Sequence, residues 1–201
     1  MIRLASIRAN RGKAVLLAKG DEAERKRAAL AEIAGDPVLA AVLDLWEEKR
    51  GERFAPHPSE LDAFILPAAV LPRIVLVDVI DGGARFRFRL IGSAVALSSG
   101  ADYTGQYVDE ALSGTVKKAV LGHYGMVVRE RRPAYAVAAY RVPGGQNVRN
   151  SRLAVPLSLT GGSVDRLLLA SRVLSDWLLQ GDLRNLEREH GHEAVRTFTI
   201  L

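Results

Sequence analysis

Few residues of this sequence have types and spacings that could do chemistry. Arg89 and Asp102 carry opposite charges on either side of a short helical stretch, and we predict a structural ion pair between them rather than a ligand clamp. Tyr103, Tyr124 and Tyr135 could line a pocket or complete a core, and the sequence does not separate these options. In a small enzyme with a cavity, Asp102 or Tyr124 would be the acid or base. Because the sequence contains no recognisable catalytic motif, we keep an enzyme as an alternative interpretation only.

Composition excludes several kinds of chemistry. The chain has no cysteine, which excludes disulfides, thiolate metal sites and cysteine nucleophiles and fits the reducing cytoplasm, where we place the protein. His57 and the pair His190 and His192 have no third ligand at metal-site spacing, so we expect no metal. No serine stands in a nucleophile-elbow sequence, which argues against a hydrolase. The most apolar stretch, 64–80, is interrupted by prolines and charges and is not a membrane span.

The positive charge of the chain is concentrated in its first 20 residues. The net charge is +5, but residues 1–20 hold five basic residues and no acidic one, which leaves 28 − 5 = 23 basic against 23 acidic residues after them. A basic arm could bind nucleic acid, and a protein that uses it in this way is a second alternative. No aromatic stacking set or recognition-helix pattern accompanies the arm. We therefore interpret it as a disordered extension or a mis-assigned start.

Two helices are predicted after the arm. Asp21 begins the first, which ends at Gly35, and Asp36 with Pro37 begins the second, which ends near Gly51. The second helix carries an apolar stripe that must be buried. The stripe consists of Leu39, Val42 and Trp46. An irregular, proline-containing crossing with one short helical turn at 59–64 follows.

From residue 72 the pattern changes from helix to strand. We predict strands at 73–80, 85–91, 134–142, 148–159 and 164–173. Further helices are predicted at 93–99, 108–112, 115–131 and 175–189. An Asp-Gly-Gly turn joins the first two strands, and helices separate them from the last three, so the design is α+β with an antiparallel sheet.

Side-chain patterns assign faces to these strands. The first and fifth strands are apolar at consecutive positions, 74–77 and 167–170, which is typical of strands covered on both faces. The second strand alternates, as expected of an edge strand with one polar face. We place Phe86, Phe88 and Leu90 on its apolar face and Arg85, Arg87 and Arg89 on the other.

The stretch from the second strand to the following turn carries a distinctive pattern of residues. An aromatic and arginine strand runs from Phe86 to Gly92 with Arg89 in place, then comes a helix and the pattern G-x-D-x-T-G, read as Gly100, Asp102, Thr104 and Gly105. The sequence is similar to a divergent subgroup of short bacterial PAS proteins, which commonly carry arginine where this chain has Ala101. The resemblance extends over about 39–173.

The resemblance implies a five-stranded antiparallel sheet of order 2-1-5-4-3, with helices inserted between strands 2 and 3. It also implies a ligand pocket under those helices. The candidate lining residues are Tyr103, His123, Tyr124, Val127 and Tyr135. In haem-binding relatives the long helix supplies the axial histidine, but a single histidine there is more often a packing or surface residue, so His123 does not favour haem. Without cysteine, covalent flavin or cinnamoyl photochemistry is excluded.

Taken together, these features imply a stand-alone sensor or protein-interaction module in bacterial signalling. We divide the chain into a basic arm (1–20), N-terminal helices (21–51), a PAS-like core (52–174) and a C-terminal helix and tail (175–201). No kinase, cyclase or DNA-binding domain fits outside the core, so a signal must leave through protein contacts. We expect a homodimer through the Leu39, Val42 and Trp46 stripe, with packing inside one chain as the alternative. A small molecule or partner protein on the helix-covered face would shift the flanking helices.

Overall fold

The computed structural model describes residues 21–62, 64–141, 147–173 and 195–201. Its helices are α1 (Glu22–Ala34), α2 (Pro37–Arg50), α3 (Ser93–Ser99), α4 (Val108–Ala111) and α5 (Gly114–Glu130). Its strands are β1 (Ile74–Ile80), β2 (Arg85–Ile91), β3 (Ala134–Arg141), β4 (Asn147–Leu157), β5 (Arg166–Val173) and β6 (Val195–Ile200). The basic arm and the helix predicted at 175–189 lie outside the described residues. In the part that is described, no helix is long and apolar enough to cross a membrane.

The strands form one antiparallel sheet of order β2-β1-β5-β4-β3-β6. Its first five positions confirm the predicted order 2-1-5-4-3. The sixth strand was not predicted: β6 pairs with β3 along its whole length, from Ala139 opposite Val195 to Ala134 opposite Ile200. Helices α3, α4 and α5 follow β2 and precede β3, as expected.

The two central strands, β1 and β5, are apolar on both sides because each side meets a different layer of helices. Ile74, Leu168 and Ala170 belong to the core formed with α1 and α2. Val77 and Leu167 alternate with them and belong to the core formed with α3, α4 and α5. We call these two sides the outer face and the inner face. This sandwich confirms the prediction that both central strands are covered.

The apolar stripe of α2 packs on the sheet of its own chain. Leu39 and Val42 are fully buried, and α2 crosses β4 and β5. The indole Nε1–H of Trp46 donates a 2.7 Å hydrogen bond to the carbonyl oxygen of Pro156 in β4. Of the two options from the sequence, the structure shows packing inside one chain. A second copy is therefore not needed to cover this stripe.

Asp36 fastens the beginning of α2 to the sheet. Its carboxylate accepts hydrogen bonds from the backbone N–H groups of Val38 and Leu39 at 2.9 and 3.1 Å, so it is the N-cap of the helix. The same carboxylate forms ion pairs with Arg73 at 3.0 Å and with Arg172 of β5 at 3.2 Å. One buried side chain thus holds a helix end and two arginines of the sheet region.

A β-bulge in β2 corrects one prediction from the alternating pattern. Phe86 and Phe88 are buried on the inner face as predicted. The register then shifts: Phe88 lies opposite Val77, but Leu90 lies opposite Leu76, so Arg89 is the extra residue. Leu90 is turned to the outer face and is 38% exposed. The prediction that Leu90 shares a face with the two phenylalanines is therefore wrong.

Gly125 offers a test of helix stability without a change in packing. It lies inside α5, and an added Cβ would meet nothing within 4 Å. Gly125→Ala should therefore raise the free energy of unfolding by about 0.5 to 1 kcal/mol, since alanine loses less backbone entropy on folding. Urea unfolding followed by circular dichroism measures the change. Gly105→Ala is the matched control: it has equally open space but a φ of +85°, so it should destabilise. Lower stability of the Gly125 variant would contradict this account.

Candidate functional site

Four of the five candidate pocket residues lie together on the inner face. Tyr103, Tyr124 and Val127 belong to its apolar core, and His123 is fully buried beside them. The ring of Tyr124 meets Phe86 edge-on with centroids 5.4 Å apart, and its centroid is 6.3 Å from that of His123. α5 supplies three of these residues at helical spacing. Their role in ligand binding stays a prediction.

Tyr135 does not belong to this group. It is buried in the outer core with α1 and α2, whereas its neighbour Ala134 lies in the inner core. Successive side chains of a strand point to opposite faces, and the inner positions 134, 136 and 138 of β3 are alanines. The prediction that Tyr135 lines the same pocket as Tyr124 is wrong.

His123 is a neutral, hydrogen-bonded residue of the inner face. Burial, together with the charge of Arg152, lowers its pKa to about 3, against a smaller opposite effect of its backbone hydrogen bond. Its Nε2 lies 3.0 Å from the carbonyl oxygen of Ala134. Because a carbonyl only accepts, Nε2 carries the proton. This nitrogen is thus not available as an axial ligand, so His123 in this arrangement does not fit haem.

Arg152 is the functional candidate that the sequence analysis missed. It lies in β4 on the inner face, opposite Ala136 of β3 and Ser171 of β5, and is half-buried. Its charge acts on both His123 and Tyr124. Burial raises the pKa of Tyr124 to about 12, although Arg152 opposes the rise. Arg152 thus places a permanent positive charge on the inner face, beside a neutral imidazole and a neutral phenol.

Asn150 adds a second polar group to this side of β4. It lies two positions before Arg152 and therefore on the same face. Its Oδ1 atom is buried and accepts no hydrogen bond from the described residues. A buried acceptor without a donor is costly. Arg152 and Asn150 therefore form a polar strip at the margin of an otherwise apolar core.

The predicted ion pair between Arg89 and Asp102 does not form. Asp102 is exposed and accepts hydrogen bonds from Thr104, from its backbone N–H at 2.9 Å and its hydroxyl at 2.6 Å. These bonds hold the pKa of Asp102 below its usual range. The local turn satisfies the carboxylate, and the bulge directs Arg89 towards Asp78, 3.8 Å away. An exposed, ionised Asp102 and a Tyr124 with so high a pKa do not fit the acid or base of an enzyme.

The remaining arginines of β2 have carboxylate partners, as the polar-face prediction requires. Asp78 in β1 lies 3.0 Å from Arg87 and 3.2 Å from Arg166 of β5. Arg85 pairs with Asp109 at 2.9 Å in the first turn of α4 and stacks on Tyr107 at 3.7 Å. β2 is thereby tied to the helices that cover the inner face.

The order of the first five strands and the helices between β2 and β3 decide the fold. The fold is PAS-like. No family model and no curated protein matches the sequence. Among solved structures, a light-oxygen-voltage domain has a TM-score of 0.40 at 15% identity, over 54% of this chain and 81% of that one. The Rhodobacter sphaeroides LOV protein has a TM-score of 0.41 at 14% identity, over 60% of this chain and 68% of that one. The PAS domain of an HTR-like protein from Haloarcula marismortui has a TM-score of 0.31 at 18% identity, over 50% of this chain and 81% of that one.

In this PAS-like core, neighbouring residues of β5 face the two sides of the sheet. Ser171 of β5 lies on the inner face opposite Arg152, and the next residue, Arg172, binds Asp36 at the beginning of α2 on the outer face. The backbone carbonyl of Ser171 also accepts a 2.8 Å hydrogen bond from Arg73. This point of β5 therefore lies between Arg152 on the inner face and Asp36 on the outer face.

Proposed function

We propose that this protein is a sensor or interaction module for signalling. A small molecule bound at the inner face changes how α1 and α2 lie on the outer face. The altered helices then change their contacts with a second copy or with a signalling protein. The observation that carries the proposal is the pair Ser171 and Arg172, which joins the inner face to Asp36 within two residues.

A second contact supports the same coupling. Trp46 of α2 is bonded to the carbonyl of Pro156 in β4, and β4 also carries Arg152 on the inner face. Strands β4 and β5 thus both connect the candidate site to α2. A ligand shifts the helices only if it binds the two arrangements of the helices with different affinity. Contacts of the ligand with β4 and β5 would produce that difference in affinity, because both strands also contact α2.

Hydrogen–deuterium exchange tests the proposal. The full chain would be isolated from the cells that produce it, and native mass spectrometry would give the mass of any bound ligand and the number of subunits. Bound ligand would then be removed by unfolding, desalting and refolding, which gives the stripped protein. Exchange in 36–51 and 114–130 should be faster in stripped protein and should slow again when the desalted small-molecule fraction is returned. Arg172→Gln is the matched control: it removes one link to Asp36 and keeps those through Arg73 and Trp46, so it should weaken the response of 36–51 and leave that of 114–130 unchanged.

Two results would overturn the coupling. Either 114–130 responds to the returned fraction while 36–51 of the wild type does not, or neither segment responds. A purely structural role of Arg172 would show as faster exchange in 36–51 in both stripped and refilled protein, with the response to the fraction retained.

A further inference from the structure

We infer that the inner face binds a monocarboxylate with an apolar body, and that Arg152 binds the carboxylate. This inference rests on the proposed function, since it gives the ligand class of the same site. It goes beyond the fold because nothing in the strand order requires an arginine at this position.

Arg152 differs from the other strand arginines whose side chains are described. Each of those has a carboxylate within 4 Å. They are Arg85 with Asp109, Arg87, Arg89 and Arg166 with Asp78, and Arg172 with Asp36. Arg152 has no such partner among the described residues, although it is half-buried. A partly desolvated guanidinium without a counterion is unfavourable for folding, which is the property expected of a group that binds an anion from outside.

The charge of the surroundings limits the ligand to a single negative charge. His123 and Tyr124 are neutral at physiological pH, with pKa values of about 3 and about 12. Asn150 is uncharged and can only add hydrogen bonds. One guanidinium balances one carboxylate and can bind it through two parallel hydrogen bonds. A phosphate dianion would leave one charge uncompensated beside an apolar core.

The walls of the site favour an apolar body on the ligand. Small apolar side chains lie next to Arg152 on the inner face, with Ala136 directly opposite and Ala154 two positions along β4. Ala154 belongs to the inner core together with Val120 of α5. These side chains are buried, so a ligand whose charged end meets Arg152 would bury its remaining atoms among them by displacing side chains that pack there. The matching chemistry is that of a fatty or aromatic acid.

A titration of the isotope-labelled full chain by ¹H–¹⁵N NMR tests the inference. The probes are octanoate and benzoate, with octanamide and benzamide as uncharged counterparts of the same shape. The acids should shift resonances of α5 and β4 and bind at least about 10-fold more tightly than the amides, in line with a charge-assisted hydrogen bond. Arg152→Gln should remove that preference and Arg152→Lys should keep part of it. Arg166→Gln, on the outer face, is the matched control and should bind the acids unchanged.

The melting temperature separates binding from a structural role. In the absence of probe, Arg152→Gln should melt at the same temperature as the wild type or a few degrees higher, because it removes an unbalanced charge. A structural arginine would lower it. Equal affinity for acids and amides, unchanged acid binding by Arg152→Gln, or no binding of acids at millimolar concentration would each overturn the inference. None of these results bears on the exchange test of coupling, and acid binding that depends on Arg152 without a response in 36–51 would overturn the proposed function alone.

Discussion

Replacement of Asp36 by alanine is expected to lower the free energy of unfolding by about 3 kcal/mol at neutral pH. About 1 kcal/mol comes from the lost N-cap, whose carboxylate accepts from two backbone N–H groups. The rest comes from Arg73 and Arg172, which lose their shared counterion. We discount the second part because both guanidinium groups keep some access to water. Urea unfolding at constant salt measures the difference.

The pH dependence of this difference has a defined sign. Burial raises the pKa of Asp36, but the hydrogen bond from Arg73 and those from Leu39 and Val38 lower it more, so the net pKa lies below 3.8. A depressed pKa in the folded state stabilises the protein above the pKa of the unfolded state, and this contribution is lost as the pH falls through the folded value. The difference in free energy of unfolding between wild type and Asp36→Ala should thus have its full value at neutral pH and become smaller below about pH 4.

Two variants serve as controls for Asp36. Asp21 is also an N-cap aspartate and accepts from the N–H of Glu24 at 2.7 Å, but it is exposed, and no arginine among the described residues forms an ion pair with it. Asp21→Ala should cost only about 1 kcal/mol. Asp36→Asn keeps the capping oxygen and removes the charge, so its loss of stability should lie between those of Asp21→Ala and Asp36→Ala. If Asp36→Ala destabilised no more than Asp21→Ala, the ion pairs would not stabilise the fold.

Most of the fold could be predicted because apolar periodicity reports burial directly. Consecutive apolar residues in β1 and β5 predicted cover on both faces, and the core on each face confirms it. The bulge at Arg89 could not be predicted, since it depends on which residue of β1 lies opposite each residue of β2. β6 lies outside the predicted strands, although 195–200 has β-branched residues at alternate positions. A short segment after a predicted helix gives no sign in the sequence of the strand with which it pairs.

The candidate site was predictable where a helix supplies it and less so where a strand does. His123, Tyr124 and Val127 share one side of α5, as helical spacing requires. The face of Tyr135 was predicted wrongly because both sets of alternating residues in β3 are apolar. The sequence pattern therefore does not show which set faces α5 and which faces α1 and α2. Arg152 had a signal in the sequence: among the alternate positions 148, 150, 152, 154 and 156 of β4 it is the charged one, and it directly precedes the apolar run 153–157.

Gly92→Ala is expected to lower the free energy of unfolding by about 3 kcal/mol, for a steric reason. Gly92 has φ −63° and ψ 147°, which any residue adopts. A Cβ there, however, would lie 2.5 Å from the carbonyl oxygens of Leu71 and Pro72, which are backbone atoms and cannot rotate away. The glycine of the sequence signature is therefore required by a close backbone approach between the beginning of α3 and the turn before β1.

The matched control for Gly92 is Gly161→Ala. Gly161 has a φ of +77° but open space for a Cβ, so its replacement should cost about 1 kcal/mol from backbone strain alone. Equal urea midpoints for the two variants would show that the close approach is unimportant. A double-mutant cycle takes the argument further: the turn that Gly92 contacts leads into Arg73, which binds Asp36. If moving this turn also breaks that ion pair, Gly92→Ala and Asp36→Ala combined should destabilise by less than the sum of the single effects.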